Sequence, residues 1–206
     1  MDEDVLAAMA RWPDVPDAYG WLSLDARGRW RLHPEGDALA GGPGVSISNP
    51  GILAFIGRNY GHDEQGRWFF QNGPQRVFVR LDAAPLVLRQ TDETGGLATH
   101  TGLPVCQVTR WALDSGGRLY AATEHGPGMV EDRHLLGVLA LMRTAAGNPL
   151  LEDGPEWLAD PSRMAEQPAP LSVFYPPVGE TPAQLIPLSE PPSRAFGYID
   201  RPGPPA

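Results

Sequence analysis

Apolar residues in this chain alternate with polar ones in short runs, and most runs stop at a glycine, proline or aspartate. In residues 29–33, Trp30 and Leu32 share one face while Arg29, Arg31 and His33 share the other, the period-two pattern of a half-buried strand. Together with residues 19–24 they predict a hairpin. Residues 67–71, 75–81 and 86–89 repeat the alternation and predict a three-stranded meander, with Val77, Val79 and Leu81 inward. Residues 105–113 and 118–123 predict another hairpin.

Two segments carry helical spacing instead. Asn49 is a natural N-cap and Pro50 suits the first helical position. Ile52, Phe55, Ile56 and Tyr60 then recur at three and four residues, which makes one buried stripe. Leu135, Val138, Leu139 and Met142 form a second such stripe, with Asp132 placed to cap it. A shorter helix over residues 2–12 sets Val5, Met9 and Trp12 on one face and ends at Trp12-Pro-Asp-Val-Pro16.

One phrase occurs three times between these elements: Asp25-Ala-Arg-Gly28-Arg29-Trp30, Asp63-Glu-Gln-Gly66-Arg67-Trp68 and Asp114-Ser-Gly-Gly117-Arg118-Leu119. Asp bonds the backbone two residues on, and Gly supplies the positive φ that closes a type I turn with a bulge. The phrase is therefore scaffold. Its arginines open the return strands facing away from the apolar residue that follows. Residues 34–48, rich in Gly, predict a mobile loop without the Lys-Ser/Thr of a phosphate loop.

The expected fold class is α+β, with antiparallel hairpins and meanders packed on two main helices in two similar halves. The first unit spans residues 1–90 and the second 91–145. Residues 146–206 hold fourteen of the 23 prolines and predict a tail of short edge strands, at 171–175, 183–187 and 195–199, laid on the core or on a partner.

Charge and composition narrow the function. The net charge of −9 argues against a nucleic-acid surface, since that affinity rests on neutralising phosphates. All sixteen basic residues are arginine, a composition expected of a GC-rich bacterial genome. The single Cys106 forms no internal bridge and reads as an inert thiol. The acidic start, Met1-Asp-Glu-Asp4, and the lack of a long apolar run lead us to expect a cytoplasmic protein with no membrane span.

No catalytic motif, metal-ligand spacing or cofactor fingerprint stands out. Neighbouring His62, Asp63 and Glu64 sit at a turn, where their side chains do not converge on a metal. The densest polar constellation is Arg58, Asn59 and Tyr60 with Gln71, Asn72, Gln75 and Arg76. Arginine flanked by amides binds a carboxylate or phosphate through a bidentate fork. Turn and helix-end chemistry is the competing account of the same residues.

The run Ile52-Leu-Ala-Phe-Ile-Gly-Arg-Asn-Tyr60, continuing through Asp63-Glu-Gln-Gly-Arg-Trp-Phe-Phe-Gln-Asn-Gly-Pro-Gln-Arg-Val-Phe-Val79, resembles an uncharacterised proteobacterial family of unknown function. Trp12-Pro-Asp-Val-Pro16, Tyr19-Gly-Trp-Leu22 and Phe196-Gly-Tyr198 fit it too, so the resemblance covers nearly the whole chain. The helix-then-meander plan is similar, more distantly, to a second bacterial family of unknown function. That resemblance implies an α+β fold with a repeated helix-plus-sheet motif and a role in signalling.

Three functional expectations follow. The first is a non-catalytic binding or regulatory module for a small anionic ligand or protein partner, with Arg58, Asn59, Tyr60, Gln71, Asn72 and Arg76 as ligand-binding candidates. The second is a small hydrolase or transferase with a site near His62 and Asp63 or His125. The third is a structural subunit of a homo-oligomer, such as a homodimer, wrapped by its tail.

Overall fold

A parallel strand pair needs a long crossover, and the first unit is built around one. The computed structural model describes residues 1–159 and 169–204. The chain divides into two compact units, Met1–Pro85 with Gly197–Ala206, and Leu86–Phe196. The architecture is α+β, with one sheet in each unit.

The first unit runs α1 (Glu3–Arg11), β1 (Ala18–Leu24), β2 (Trp30–Leu32), β3 (Val45–Ser46), α2 (Pro50–Arg58), β4 (Tyr60–His62), β5 (Trp68–Asn72) and β6 (Gln75–Leu81). Its sheet has the order β3-β2-β1-β6-β5-β4. The central β1–β6 pair is parallel, with Leu22 opposite Val79, Ser23 opposite Arg80 and Leu24 opposite Leu81. The other neighbours are antiparallel. Helix α2 lies on the crossover, and Asn49 caps it by accepting from the Gly51 and Ile52 N–H groups at 2.9 and 3.1 Å. Phe55 meets Phe70 edge-on at 5.5 Å, and Tyr60 packs between Trp30 and Trp68 at 5.0 and 4.9 Å. Leu24 and Val79 lose all their exposure here. Burial of one such side chain contributes about 1.5–3 kcal/mol.

The second unit contains β7 (Leu86–Gln90), β8 (Leu97–Thr99), β9 (Pro104–Val105), β10 (Val108–Leu113), β11 (Leu119–Thr123), β12 (Gly126–Val130), α3 (Asp132–Leu141), β13 (Arg143–Thr144), α4 (Leu150–Asp153), α5 (Glu156–Ala159), β14 (Leu171–Tyr175), β15 (Gly179–Pro187) and α6 (Pro192–Phe196). Its sheet runs β13-β14-β15-β10-β11-β12-β7-β8-β9. Here β10–β15 and β7–β12 are parallel. Helix α3 starts one residue after a buried Glu131, which Arg89 and Arg133 both neutralise.

Several expectations change. The meander comprises β4, β5 and β6, because the Ala83-Ala84-Pro85 segment delivers β7 to the other sheet, beside β12. In the proline-rich stretch, β14 and β15 are interior strands. The prolines allow this: Pro182 sits in the irregular stretch between Val173 and Tyr175 pairing, and Pro187 ends its ladder. Residues 195–199 form the end of α6 and a single bridge from Ile199 to Arg67, rather than a strand. Residues 160–168 and 205–206 of the expected tail lie outside the described residues.

The three Asp-x-x-Gly-Arg turns share one geometry. In each, the Asp N–H donates to the carbonyl four residues on, and the Gly N–H donates to the Asp carbonyl, all at 2.9–3.1 Å. Asp25 Oδ1 accepts from Arg27 and Arg29 N–H, Asp63 Oδ1 from Gln65 and Arg67, and Asp114 Oδ1 from Gly116 and Arg118. The arginines of the first two copies fold back on their own turns: Arg29 Nε donates to Asp25 at 2.8 Å and Arg67 Nε to Asp63 at 2.7 Å. Two further turns, at Thr99–Leu103 and Thr144–Asn148, repeat the same backbone bonds with threonine first and glycine fourth. Burial raises the Asp25 and Asp63 carboxyls, but the backbone N–H groups and guanidinium around each outweigh it and hold both below their usual range.

The returning segment closes the first unit. Ile199 N–H donates to the Gly66 carbonyl at 2.9 Å, Leu81 N–H donates to that of Asp200 at 2.8 Å, and buried Tyr198 donates its hydroxyl to the Ala83 carbonyl. A Cβ on Gly66 would stand 2.3 Å from the Gly197 carbonyl oxygen, whereas one on Gly117 meets nothing within 4 Å.

Both glycines have positive φ, so alanine at either costs about 1–2 kcal/mol of strain. Gly66→Ala is expected to lower the urea midpoint further than Gly117→Ala, and it alone raises amide exchange across residues 197–202. Because the Asp25 and Asp63 carboxyls are depressed in the fold, the stability they supply is present above the unfolded value of about 3.9 and is lost as pH falls through their folded values. Urea midpoints measured from pH 6 to pH 2 therefore fall below about pH 4, and Asp25→Asn with Asp63→Asn flattens that fall.

Candidate functional site

The strand alternation that fills the core of the first unit leaves one end of its sheet uncovered. A cleft of about 820 Å³ opens there. Leu22, Val77 and Phe70 form the floor, Ile52 and Ile56 of α2 one wall, and the Val45–Asn49 segment the other. Trp21, Leu32, Val45 and Ile52 reach into it while keeping 44–62% of their exposure. Its polar groups are neutral: Ser46, Ser48, Asn49, Asn72 and Gln75. Among the described residues no charged side chain lines it.

A buried polar network holds the second wall. Arg80, 7% exposed, donates from Nη1 to the carbonyls of Ala38 and Gly42 at 2.7 and 3.1 Å, and its Nη2 lies 3.0 Å from Asp82. Ser23 Oγ lies 2.8 Å from His33 Nε2, and His33 Nδ1 3.0 Å from Asp37 Oδ1. The Asp37 carboxylate can only accept, so Nδ1–H donates to it, and in that neutral tautomer Nε2 accepts from the serine hydroxyl. Residues 34–48 are thus tied to the sheet, against the mobile loop expected from composition.

Serine, imidazole and carboxylate stand here in the order of a hydrolase relay. Yet Ser23 and His33 have no exposed surface, and Gly44 sits so close that a Cβ there would lie 2.7 Å from His33 Nε2. No substrate carbonyl reaches Ser23. The relay geometry serves as a tether.

The sequence-derived candidates separate. Asp2 takes Arg58 and Asn59: Arg58 Nε and Nη2 donate to its carboxylate at 2.9 and 3.0 Å, and the Asp2 N–H donates to Asn59 Oδ1 at 2.8 Å. Asn59 and Gln71 are buried, and Gln71 donates to the Gly73 carbonyl at 2.9 Å. Tyr60 donates to the Pro85 carbonyl at 3.0 Å, and burial pushes its phenol well above the ordinary range. Arg76 lies 4.9 Å over the Phe69 ring. Of the six, Asn72 alone lines the cleft. His62 donates to the Asp63 carbonyl beside the Trp68 ring, and His125 Nε2 lies 2.8 Å from the Pro104 carbonyl. The cleft itself carried no motif: Ile52, expected in the buried stripe of α2, is exposed instead, and Trp21, Leu32 and Val45 lie on β1, β2 and β3.

A family model described as "Protein of unknown function (DUF2946)" and labelled DUF2944 matches residues 1–202. The chain belongs to the DUF2944 family. The resemblance carried by Ile52–Val79 therefore holds over residues 1–202. No curated protein matches this DUF2944 chain. Two crystal structures of DUF1285 family proteins are similar to it. The protein from Silicibacter pomeroyi DSS-3 has 16% identity, coverage of 69% of this chain and 86% of that one, and a TM-score of 0.45. The protein from Shewanella baltica OS155 has 16% identity, coverage of 57% and 89%, and a TM-score of 0.40. Among the described residues of the DUF2944 chain, no group of three or more His, Cys, Asp or Glu is arranged to hold a metal. No helix among them is long and apolar enough to cross a membrane.

Removing the Arg80 guanidinium leaves the Ala38 and Gly42 carbonyls without that donor. Arg80→Leu is expected to lower stability by about 1–3 kcal/mol in urea unfolding, the cost of leaving a buried acceptor unsatisfied. A serine-directed fluorophosphonate is expected to leave Ser23 unlabelled in the folded protein, which mass spectrometry checks.

Proposed function

We propose that this DUF2944 chain is a non-catalytic binding module, and that the cleft of its first unit takes a small uncharged molecule. The observation that carries this reading is a cleft of about 820 Å³ with apolar walls and only neutral polar groups among the described residues. Its size falls among small-molecule sites, which are mostly apolar with a few polar groups to fix orientation. An anion would lose its hydration there without gaining a cation, a cost of several kcal/mol. The arginines that suggested an anionic ligand are engaged elsewhere, Arg58 with Asp2 and Arg76 over Phe69. Covering the exposed faces of Trp21, Leu32 and Ile52 contributes about 25 cal/mol per Å² of apolar surface.

We also read the two units as similar halves, each crossing over through one main helix. Support comes from strand order: β3-β2-β1-β6-β5-β4 in one and β12-β11-β10-β15-β14-β13 in the other. In each, the first and last strands of the series pair in parallel, and the helix, α2 or α3, falls between the third and fourth. The hairpin turns Asp25–Arg29 and Asp114–Arg118 occupy the same place in the two series.

Thermal-shift measurements with uncharged alkanols and bicyclic aromatics test the binding reading. At least one compound is expected to raise the melting midpoint of the wild type and not that of Ile52→Glu, which puts a charge into the wall at a half-exposed position. A panel without effect, or an equal shift in Ile52→Glu, would overturn it.

A further inference from the structure

We infer that the cleft of the first unit selects a planar aromatic ring carrying an uncharged hydrogen-bonding group. The inference deepens the binding reading above and rests on it, and on the match between the two halves.

The register of the two sheets fixes which positions correspond. Leu22 pairs with Leu32 on one side and Val79 on the other; Trp111 pairs with Ala121 and Leu185 in the same way. Phe70 pairs with Val77, and Val173 with Ala183. Two residues further along, Asn72 in β5 corresponds to Tyr175 in β14. The cleft positions Leu22, Asn72 and Val77 thus have counterparts in Trp111, Tyr175 and Ala183.

Those three counterparts line a cavity of their own in the second unit, and it measures only about 40 Å³. The difference is aromatic. Trp111 is fully buried and meets Tyr175, 3% exposed, at 5.8 Å and 68°. Where the first unit has a leucine and an exposed asparagine, the second has an indole and a phenol stacked edge to face. The Tyr175 hydroxyl also donates to the Gly95 carbonyl and lies 3.4 Å from Gln90 Nε2. The second unit supplies its own occupant, two rings and a hydroxyl with hydrogen-bond partners.

An empty copy of that place, walled by Trp21, Leu32 and Ile52, suits a ring of the same kind. A flat ring fills the space between a sheet face and a helix with little loss of internal freedom, and it gains edge-to-face contact with Phe70 and Trp21. An alkyl chain of equal apolar area surrenders more rotational freedom on binding. Asn72, Gln75 and Ser46 sit where an uncharged hydroxyl or amide on the ring finds partners.

The experiment is isothermal titration at pH 7 of 2-naphthol and of 1-decanol into the full chain, as wild type, Asn72→Tyr and Ile52→Glu. Asn72 is exposed, so Asn72→Tyr is compatible with the fold and places a second-unit ring in the first-unit cleft. The expected result is 2-naphthol binding at least tenfold tighter than 1-decanol, with at least a tenfold loss in Asn72→Tyr. Decanol binding as tightly as naphthol, and lost in Ile52→Glu, overturns the aromatic selection while leaving the cleft as a binding site. Naphthol binding that Asn72→Tyr leaves unchanged overturns the placement. Binding of neither compound overturns the inference and counts against the cleft itself.

Discussion

The six-stranded sheet has one parallel pair at its centre, β1 with β6, and the nine-stranded sheet has two parallel pairs, β10 with β15 and β7 with β12. Parallel strands cannot be joined by a tight turn, so the chain must leave the sheet, cross over and return. Between β1 and β6 that journey runs through β2, β3, α2, β4 and β5, and between β10 and β15 through β11, β12, α3, β13, α4, α5 and β14, with β7, β8 and β9 outside it. Closure is marked by the same bond in both, from Asp82 N–H to the Leu24 carbonyl at 3.0 Å and from Leu188 N–H to that of Leu113 at 2.8 Å. The apolar residues of the central strands, Leu24 and Val79 or Leu113 and Leu185, are among the most deeply buried in their units.

Local chemistry was legible in the sequence and long-range pairing was not. Asn49 and Pro50 announced α2, and Asp25, Asp63 and Asp114 with their glycines announced three turns whose hydrogen bonds follow the expected scheme. The turns at Thr99 and Thr144 escaped because threonine replaces aspartate while the glycine and the backbone bonds stay the same. Pairing of β1 with β6 leaves no mark on either strand, since Leu22 or Val79 is equally content beside an antiparallel neighbour. The same blindness sent β7 to the wrong sheet and made edge strands of β14 and β15.

The candidate site was less legible still. Sequence reasoning looks for polar clusters, and it found Arg58, Asn59, Tyr60, Gln71, Asn72 and Arg76. In the fold Arg58 and Asn59 bond Asp2, and Tyr60 and Gln71 donate to backbone carbonyls, which is the ordinary fate of polar groups near a core. What distinguishes the cleft is side chains that fail to meet a partner, Trp21, Leu32, Val45 and Ile52, and a failure to pack has no motif. Its far wall depends on an arginine, Arg80, which stands between Val79 and Leu81 in β6 and belongs to no motif.

The return of residues 197–202 to the first unit has a temporal meaning. Ile199, Tyr198 and Asp200 bond to Gly66, Ala83 and Leu81, so the sheet formed by residues 18–81 is fastened by a piece of chain synthesised more than a hundred residues later. The second unit, Leu86–Phe196, is contiguous. The unit that begins the chain therefore also ends it, and its clasp exists only once the whole of the second unit has been synthesised.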